Sequence, residues 1–125
     1  MRFDHSLNFL FLFVLLNSVS ADDQAYIKFS EQALIEGREI WLDSCEGCHA
    51  YGIAGSPNPL KPGDWRQRLA KDQAVLYEHA IDGFFGPDDT MMPPRGGNHA
   101  LSDEEVKVAV DYMTSLAEHY ITEEK

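Results

Sequence analysis

The feature that most constrains this 125-residue chain is the pentapeptide Cys45-Glu46-Gly47-Cys48-His49. The C-x-x-C-H pattern is typical of covalent haem attachment. Two thiols at this spacing share one helical turn, where each can add to a haem vinyl group, and the adjacent imidazole can then ligate the iron. The chain is therefore expected to fold around a large apolar group that is bonded to it.

Two other uses of a cysteine pair fit the sequence less well. A thiol-redox pair belongs in a βαβ context, whereas the residues that flank Cys45 and Cys48 have helical spacing. A zinc site needs two more ligands at matching spacing, and the chain has no second cysteine pair. Because thioether bonds would use both thiols, no structural disulfide is expected.

The N-terminus has the pattern of a secretory signal peptide. A cation at Arg2 precedes an apolar run over residues 7–16, and small residues follow. This predicts a signal peptide over residues 1–21, cleaved after Ser20 or Ala21, and a periplasmic location. Haem attachment outside the bacterial cytoplasmic membrane agrees with export. An uncleaved membrane anchor is the less favoured alternative, because the apolar run is short for a bilayer span.

The remainder, residues 22–125, suits a single haem domain. A chain of this length builds only a small core, so a covalent haem should also stabilise the fold. The net charge is −11 at pH 7, and it stays the same without residues 1–21, which hold one cation and one acid. Such a charge argues against nucleic acid and anionic membrane surfaces as partners.

The hydrophobic periodicity predicts helices joined by loops and no strands. The first helix is expected from about Ser30, its N-cap, to about Cys48. Asp64 and Asp72 are candidate N-caps for two shorter helices, over residues 65–71 and 73–82, and Gly83 is the expected stop of the second.

The last helix has the clearest start signal in the chain. Ser102 and Glu105 form a capping box, while Leu101 and Val106 occupy the positions of a hydrophobic staple. One apolar face is then expected to be made of Val106, Ala109, Val110, Met113, Ala117 and Tyr120.

The second iron ligand is expected from the loop over residues 84–100. Met92 is followed by two prolines, whose restricted dihedrals stiffen a loop that must carry a thioether across the haem. Met92 is therefore the predicted ligand, with Met91 packing beside it. His99 in the same loop is the alternative, whereas His79 and His119 lie on predicted helices and are expected at the surface.

An ordered set of motifs resembles a class I c-type cytochrome, and it is most similar to the cytochrome c5 group. The motifs are residues 37–41, 45–50, 52–57, 64–65, 92–98, 101–105 and 109–113. The resemblance implies an all-α class I cytochrome c fold, in which about four helices wrap around one covalently bound haem c. Cytochromes c5 often carry a further cysteine pair after the ligand methionine, and this chain has none.

The resemblance also implies particular contacts. The first and last helices would cross at Gly37, and Trp41 would pack on Tyr112. The Pro57 carbonyl would accept a hydrogen bond from the ring of His49, which fixes the orientation of a ligand imidazole. Trp65 would lie against the haem near its propionates.

With His49 and Met92 on opposite faces, the iron would have no open position for a substrate. We therefore expect a periplasmic mono-haem cytochrome that acts as an outer-sphere single-electron carrier and not as an enzyme. Its partners would be redox proteins that donate or accept electrons. Loose docking to a membrane complex would be compatible with this role. The alternative is a dedicated haem subunit of a periplasmic oxidoreductase complex.

The positions of the charged residues predict that basic and acidic side chains occupy different parts of the surface. The cations cluster near the expected haem edge, where they would neutralise the propionates and present a mild docking patch. The acids of the C-terminus would lie away from that edge and keep the protein soluble. The cations are Lys61, Arg66, Arg68 and Lys71, and the acids are Glu118, Glu123 and Glu124.

Overall fold

The computed structural model describes residues 24–125, so the predicted signal peptide lies outside the described residues. Its α-helices are, in chain order, α1 (Gln32–Ser44), α2 (Glu46–His49), α3 (Pro62–Trp65), α4 (Gln73–Asp82) and α5 (Asp103–Glu123). Two short 3-10 helices (Ile53–Gly55 and Pro94–Gly97) and two strands, β1 (Phe84–Phe85) and β2 (Met91–Met92), complete the order. Within residues 24–125 no helix combines the length and apolar character that crossing a bilayer requires.

The first helix differs from its prediction at both ends. It begins at Gln32, and the N-cap is Glu31, with φ −69° and ψ 128°. Ser30 makes no cap, because its hydroxyl is turned toward the Glu31 carboxylate. The chain is not one helix up to Cys48 either, since Cys45, with φ −119°, separates α1 from α2.

The crossing of α1 and α5 forms the main core. A Cβ on Gly37 would lie 2.0 Å from the Val108 carbonyl oxygen, so only glycine permits this approach. The rings of Trp41 and Tyr112 pack at 5.9 Å between centroids, inclined at 55°. Both contacts that the resemblance implied are thus present, and Trp41, Tyr112 and Leu116 are fully buried.

Three hydrogen bonds fasten residues 25–27 to this crossing. Arg38 Nε donates to the Tyr26 carbonyl at 2.9 Å, and the Tyr112 hydroxyl donates to the Ile27 carbonyl at 3.2 Å. The Tyr120 hydroxyl donates to the Ala25 carbonyl at 2.7 Å. The N-terminal segment of the described chain is therefore held by side chains from both long helices.

The middle of the chain is less helical than expected. Asp64 lies inside α3 and not before a helix over 65–71, and its carboxylate accepts the Asn58 N–H at 3.0 Å. The prediction for α4 is confirmed: Asp72 is its N-cap residue and Gly83, with φ 86°, follows its last residue.

The start of α5 is also confirmed. Ser102 Oγ accepts the Glu105 N–H at 3.2 Å, and the Glu105 carboxylate accepts the Ser102 N–H at 2.8 Å. Beside it, Val106 and Val110 form a second, smaller apolar cluster with Ala80 of α4.

The small sheet was not predicted. β1 and β2 pair antiparallel, with Phe84 opposite Met92 and Phe85 opposite Met91. Strands of two residues are too short to show alternation in a sequence. The hairpin matters for function because its second strand carries both candidate methionine ligands.

Candidate haem site

The attachment motif lies at the junction of α1 and α2. Cys45 ends α1 and is half-buried, whereas Cys48 on α2 is exposed. Burial, with smaller contributions from Cys48 and Asp43, raises the pKa of the Cys45 thiol to about 12. Both thiols sit beside His49, so one short segment presents the three side chains of the motif.

His49 is oriented by a backbone contact. Its side chain is buried, and Nδ1 lies 2.9 Å from the Pro57 carbonyl oxygen. Because a carbonyl can only accept, Nδ1 carries the proton, and Nε2 of the neutral ring has a free lone pair. Burial lowers the pKa of His49, and the nearby Arg68 lowers it further, although the Pro57 hydrogen bond opposes both. The neutral imidazole, which is the form that ligates metal, is favoured.

An apolar cavity of about 270 Å³ opens beside this imidazole. Its wall takes His49 from α2, Trp65 from α3, Met92 from β2 and Met113 from α5. A second cavity of about 20 Å³ shares His49 and Met92 and reaches Cys45. The fold thus brings the motif histidine and the candidate methionine, which are far apart in the sequence, to one apolar space.

The two methionines of β2 differ in their surroundings. Met92 is half-buried, packs against the cluster of Ala80 and Val110, and lines both cavities. Met91 is 44% exposed and lines only the larger cavity. His99, the alternative ligand, is exposed and lies outside both cavity walls. This geometry favours Met92.

Two indole groups supply an independent test of whether haem fits. Within the described residues, Nε1 of Trp65 and Nε1 of Trp41 are buried polar atoms without a hydrogen-bond partner. Each such donor costs on the order of 1–3 kcal/mol unless a ligand or water satisfies it. Trp65 lines the larger cavity and Trp41 the smaller. Both unsatisfied donors thus belong to residues of the cavity walls, and an apolar space of this kind fits a haem macrocycle.

The basic segment divides between two locations. Arg68 and Lys71 line the larger cavity, but Lys61 and Arg66 do not. Arg66 instead forms an exposed ion pair with Glu124 of the C-terminus. All four cations were expected near the haem edge, but only two of them line the cavity, and Arg66 pairs with a C-terminal acid instead.

His79 is the residue that the sequence reasoning missed. It was expected at the surface, but it is half-buried and lines the larger cavity. A signal was available: Leu76, His79 and Ala80 have the spacing of one helix face, and all three reach the cavity. The fold and the cavity together define a small, mostly helical protein built around an attached haem.

Comparison with known proteins agrees with this class. The family model described as cytochrome C oxidase, cbb3-type, subunit III, matches residues 32–113. A cytochrome c-555 of Prosthecochloris aestuarii is 35% identical over 85 residues, which cover 66% of this chain and 86% of the relative. A cytochrome c-555 of Chlorobaculum thiosulfatiphilum is 36% identical over 77 residues, 62% of this chain and 88% of the relative.

A cytochrome c5 of Ectopseudomonas mendocina is 28% identical over 80 residues, which cover 62% of this chain and 86% of the relative. The chain belongs to this cytochrome c family and is a class I c-type cytochrome. Its cofactor is one covalently attached haem c, and it is an electron-transfer protein that acts with redox partners.

Proposed function

We propose that this protein is a periplasmic single-electron carrier in which Cys45 and Cys48 hold the haem by thioether bonds. His49 and Met92 would hold the iron, and the haem would supply one-electron chemistry without a bound substrate. The signal peptide over residues 1–21 exports the chain, and residues 22–125 form the mature haem domain.

The observation that carries this proposal is the shared cavity of His49 and Met92. One ligand comes from α2 and the other from β2, and both border the same apolar space. A bound haem supplies one-electron chemistry at its iron. A histidine and a thioether on opposite faces leave no position for a substrate, and thioether ligation raises the reduction potential.

The chain's own residues then have defined tasks. The Pro57 carbonyl keeps the His49 ring in one tautomer and orientation, as such backbone acceptors do for metal-bound histidines. The apolar wall disfavours extra charge on the iron. Trp65 and the cations Arg68 and Lys71 line the cavity where propionates would be accommodated.

A dedicated haem subunit of a periplasmic oxidoreductase complex is the second candidate. It is supported by the matched family, whose description names an oxidase subunit. The relatives, by contrast, are named simply as cytochromes c-555 and c5. Purification of the native protein distinguishes the two: a carrier elutes as a free small protein that several donors reduce, whereas a subunit elutes with a fixed partner.

Covalent attachment is tested by haem staining on a denaturing gel. The variant with both Cys45→Ala and Cys48→Ala should lose the stain completely, because no other cysteine exists in the chain. His49→Gln should keep the stain while its spectrum changes, since the thioether bonds remain. A stained double variant would contradict the assignment.

The distal ligand is tested by the oxidised absorption spectrum. Met92→Ala should remove the sulfur-to-iron charge-transfer band, leave the haem attached and allow added imidazole to bind. Met91→Ala is the matched control and should keep the band. The reverse result would assign the ligand to Met91.

A further inference from the structure

His79 has no role in the proposed electron carrier, yet it lies in the haem cavity. It lines the same wall as His49 and Met92, and among the histidines of residues 24–125 only His49 shares this position. It is half-buried on α4, one residue before Ala80.

One ring contact and the packing of its sequence neighbour place His79 on the Met92 side of the cavity. Ala80, its neighbour in sequence, belongs to the apolar cluster against which Met92 packs. The His79 ring is stacked on Phe84, with centroids 4.1 Å apart and planes 27° from parallel. Phe84 is in turn the residue opposite Met92 in the small sheet. The imidazole therefore neighbours the strand that supplies the distal ligand.

The His79 ring nitrogens are not engaged by other groups of residues 24–125. Within residues 24–125 the ring is stacked on Phe84, and neither ring nitrogen makes a hydrogen bond. The charged groups that line the cavity with it are the cations Arg68 and Lys71.

The hairpin that carries Met92 is lightly built. Each strand has two residues, and the turn between them contains Asp88 and Asp89 with φ of 57° and 59°. Non-glycine residues pay a steric cost in this left-handed region. A hairpin of this kind can move while the helices of the haem site stay in place.

We propose that His79 is a reserve distal ligand, which binds the iron when the Met92 thioether leaves it. The inference rests on the proposed ligation by His49 and Met92. The exchange breaks the iron–sulfur bond and forms an iron–nitrogen bond from the imidazole lone pair, and no electron is transferred. Because a thioether raises the potential relative to a second imidazole, the exchanged form is the weaker oxidant.

The test uses the purified haem protein and its spin state without added ligand. Met92→Ala should lose the sulfur band yet remain low-spin, because His79 fills the position. Met92→Ala with His79→Phe should become high-spin, since phenylalanine keeps a ring against Phe84 but has no nitrogen. That double variant should also bind imidazole at least about tenfold more tightly, because no internal ligand competes.

Two controls make the outcomes separable. His99→Phe in the Met92→Ala background should stay low-spin, and His79→Phe alone should keep the sulfur band, which shows that the site still folds. If the Met92→Ala protein loses the sulfur band and is high-spin, this inference alone is overturned. The same holds if the variant with both Met92→Ala and His79→Phe stays low-spin. A band that survives Met92→Ala would overturn the ligand assignment and this inference with it.

Discussion

The two sides of the haem cavity are built very differently. The proximal side, made of α1, α2 and the C-terminal half of α5, contains Trp41, Tyr112 and Leu116, all fully buried. The distal side, made of α4, the β1–β2 hairpin and residues 93–101, rests on the small cluster of Ala80, Val106 and Val110. Cys45, Cys48 and His49 thus belong to the side with the larger apolar core, and Met92 belongs to the side with the smaller cluster.

The largest effect on the free energy of unfolding is expected on the proximal side, at the close crossing of α1 and α5. Gly37→Ala should lower the free energy of unfolding by about 3 kcal/mol, because the new Cβ meets a backbone carbonyl that cannot rotate away. Denaturant unfolding of the haem protein measures this. Gly47→Ala is the control, since nothing lies within 4 Å of its Cβ position and alanine favours a helix. Equal stability of the two variants would show that the crossing is not tight.

A smaller effect is expected on the distal side. Arg95 donates to the Leu101 carbonyl at 2.9 Å and pairs with Asp103 at 2.5 Å, which ties the segment after Met92 to the start of α5. Arg95→Gln should cost about 1 kcal/mol and make the sulfur band fade at a lower temperature.

The control for Arg95 is Arg66→Gln, which breaks an exposed ion pair with Glu124. Such pairs contribute about 0–1 kcal/mol, so stability should change little and the band should be unaffected. If both variants weakened the band equally, Arg95 would have no special place in holding the distal strand.

The smallest effect concerns partner recognition. Lys71 lines the cavity, and its Nζ lies 5.8 Å from the centre of the Phe84 ring, so its charge borders the cavity. Lys71→Glu should slow reduction by the physiological donor about threefold at low salt and less at high salt. Stopped-flow mixing measures the rate. Lys61→Glu should have a weaker effect and Glu123→Gln none; the opposite ranking would move docking to the acidic surface.

Sequence alone predicts the features that depend on neighbours along the chain and misses the others. The capping box of α5 and the stop of α4 at Gly83 depend on neighbours in sequence, and both were predicted. The junction at Cys45 was not, because nothing local distinguishes a helix interrupted by one residue from a continuous one. The hairpin was not predicted, because its strands are too short to show the alternating pattern of a β-strand.

The residues of the candidate site also divide into those that local sequence predicts and those that only the tertiary fold places. The spacing of Cys45, Cys48 and His49 is local chemistry, and the prolines after Met92 are a local constraint. The contact of His49 with Pro57 came only from the family resemblance. The place of His79 depends on how α4 packs against β1 and α5, and this tertiary arrangement is not written in any short motif.

The hydrogen bonds that fasten residues 25–27 have a consequence for how the protein is made. Their donors include Tyr112 and Tyr120, which lie 85 and 95 residues downstream of their acceptors. A chain that emerges N-terminus first cannot close its core until nearly all of it has appeared. During that interval Cys45, which packs against the core in the folded protein, is not yet covered by the last helix. The contacts between the first and last helices therefore form only after the attachment motif has emerged.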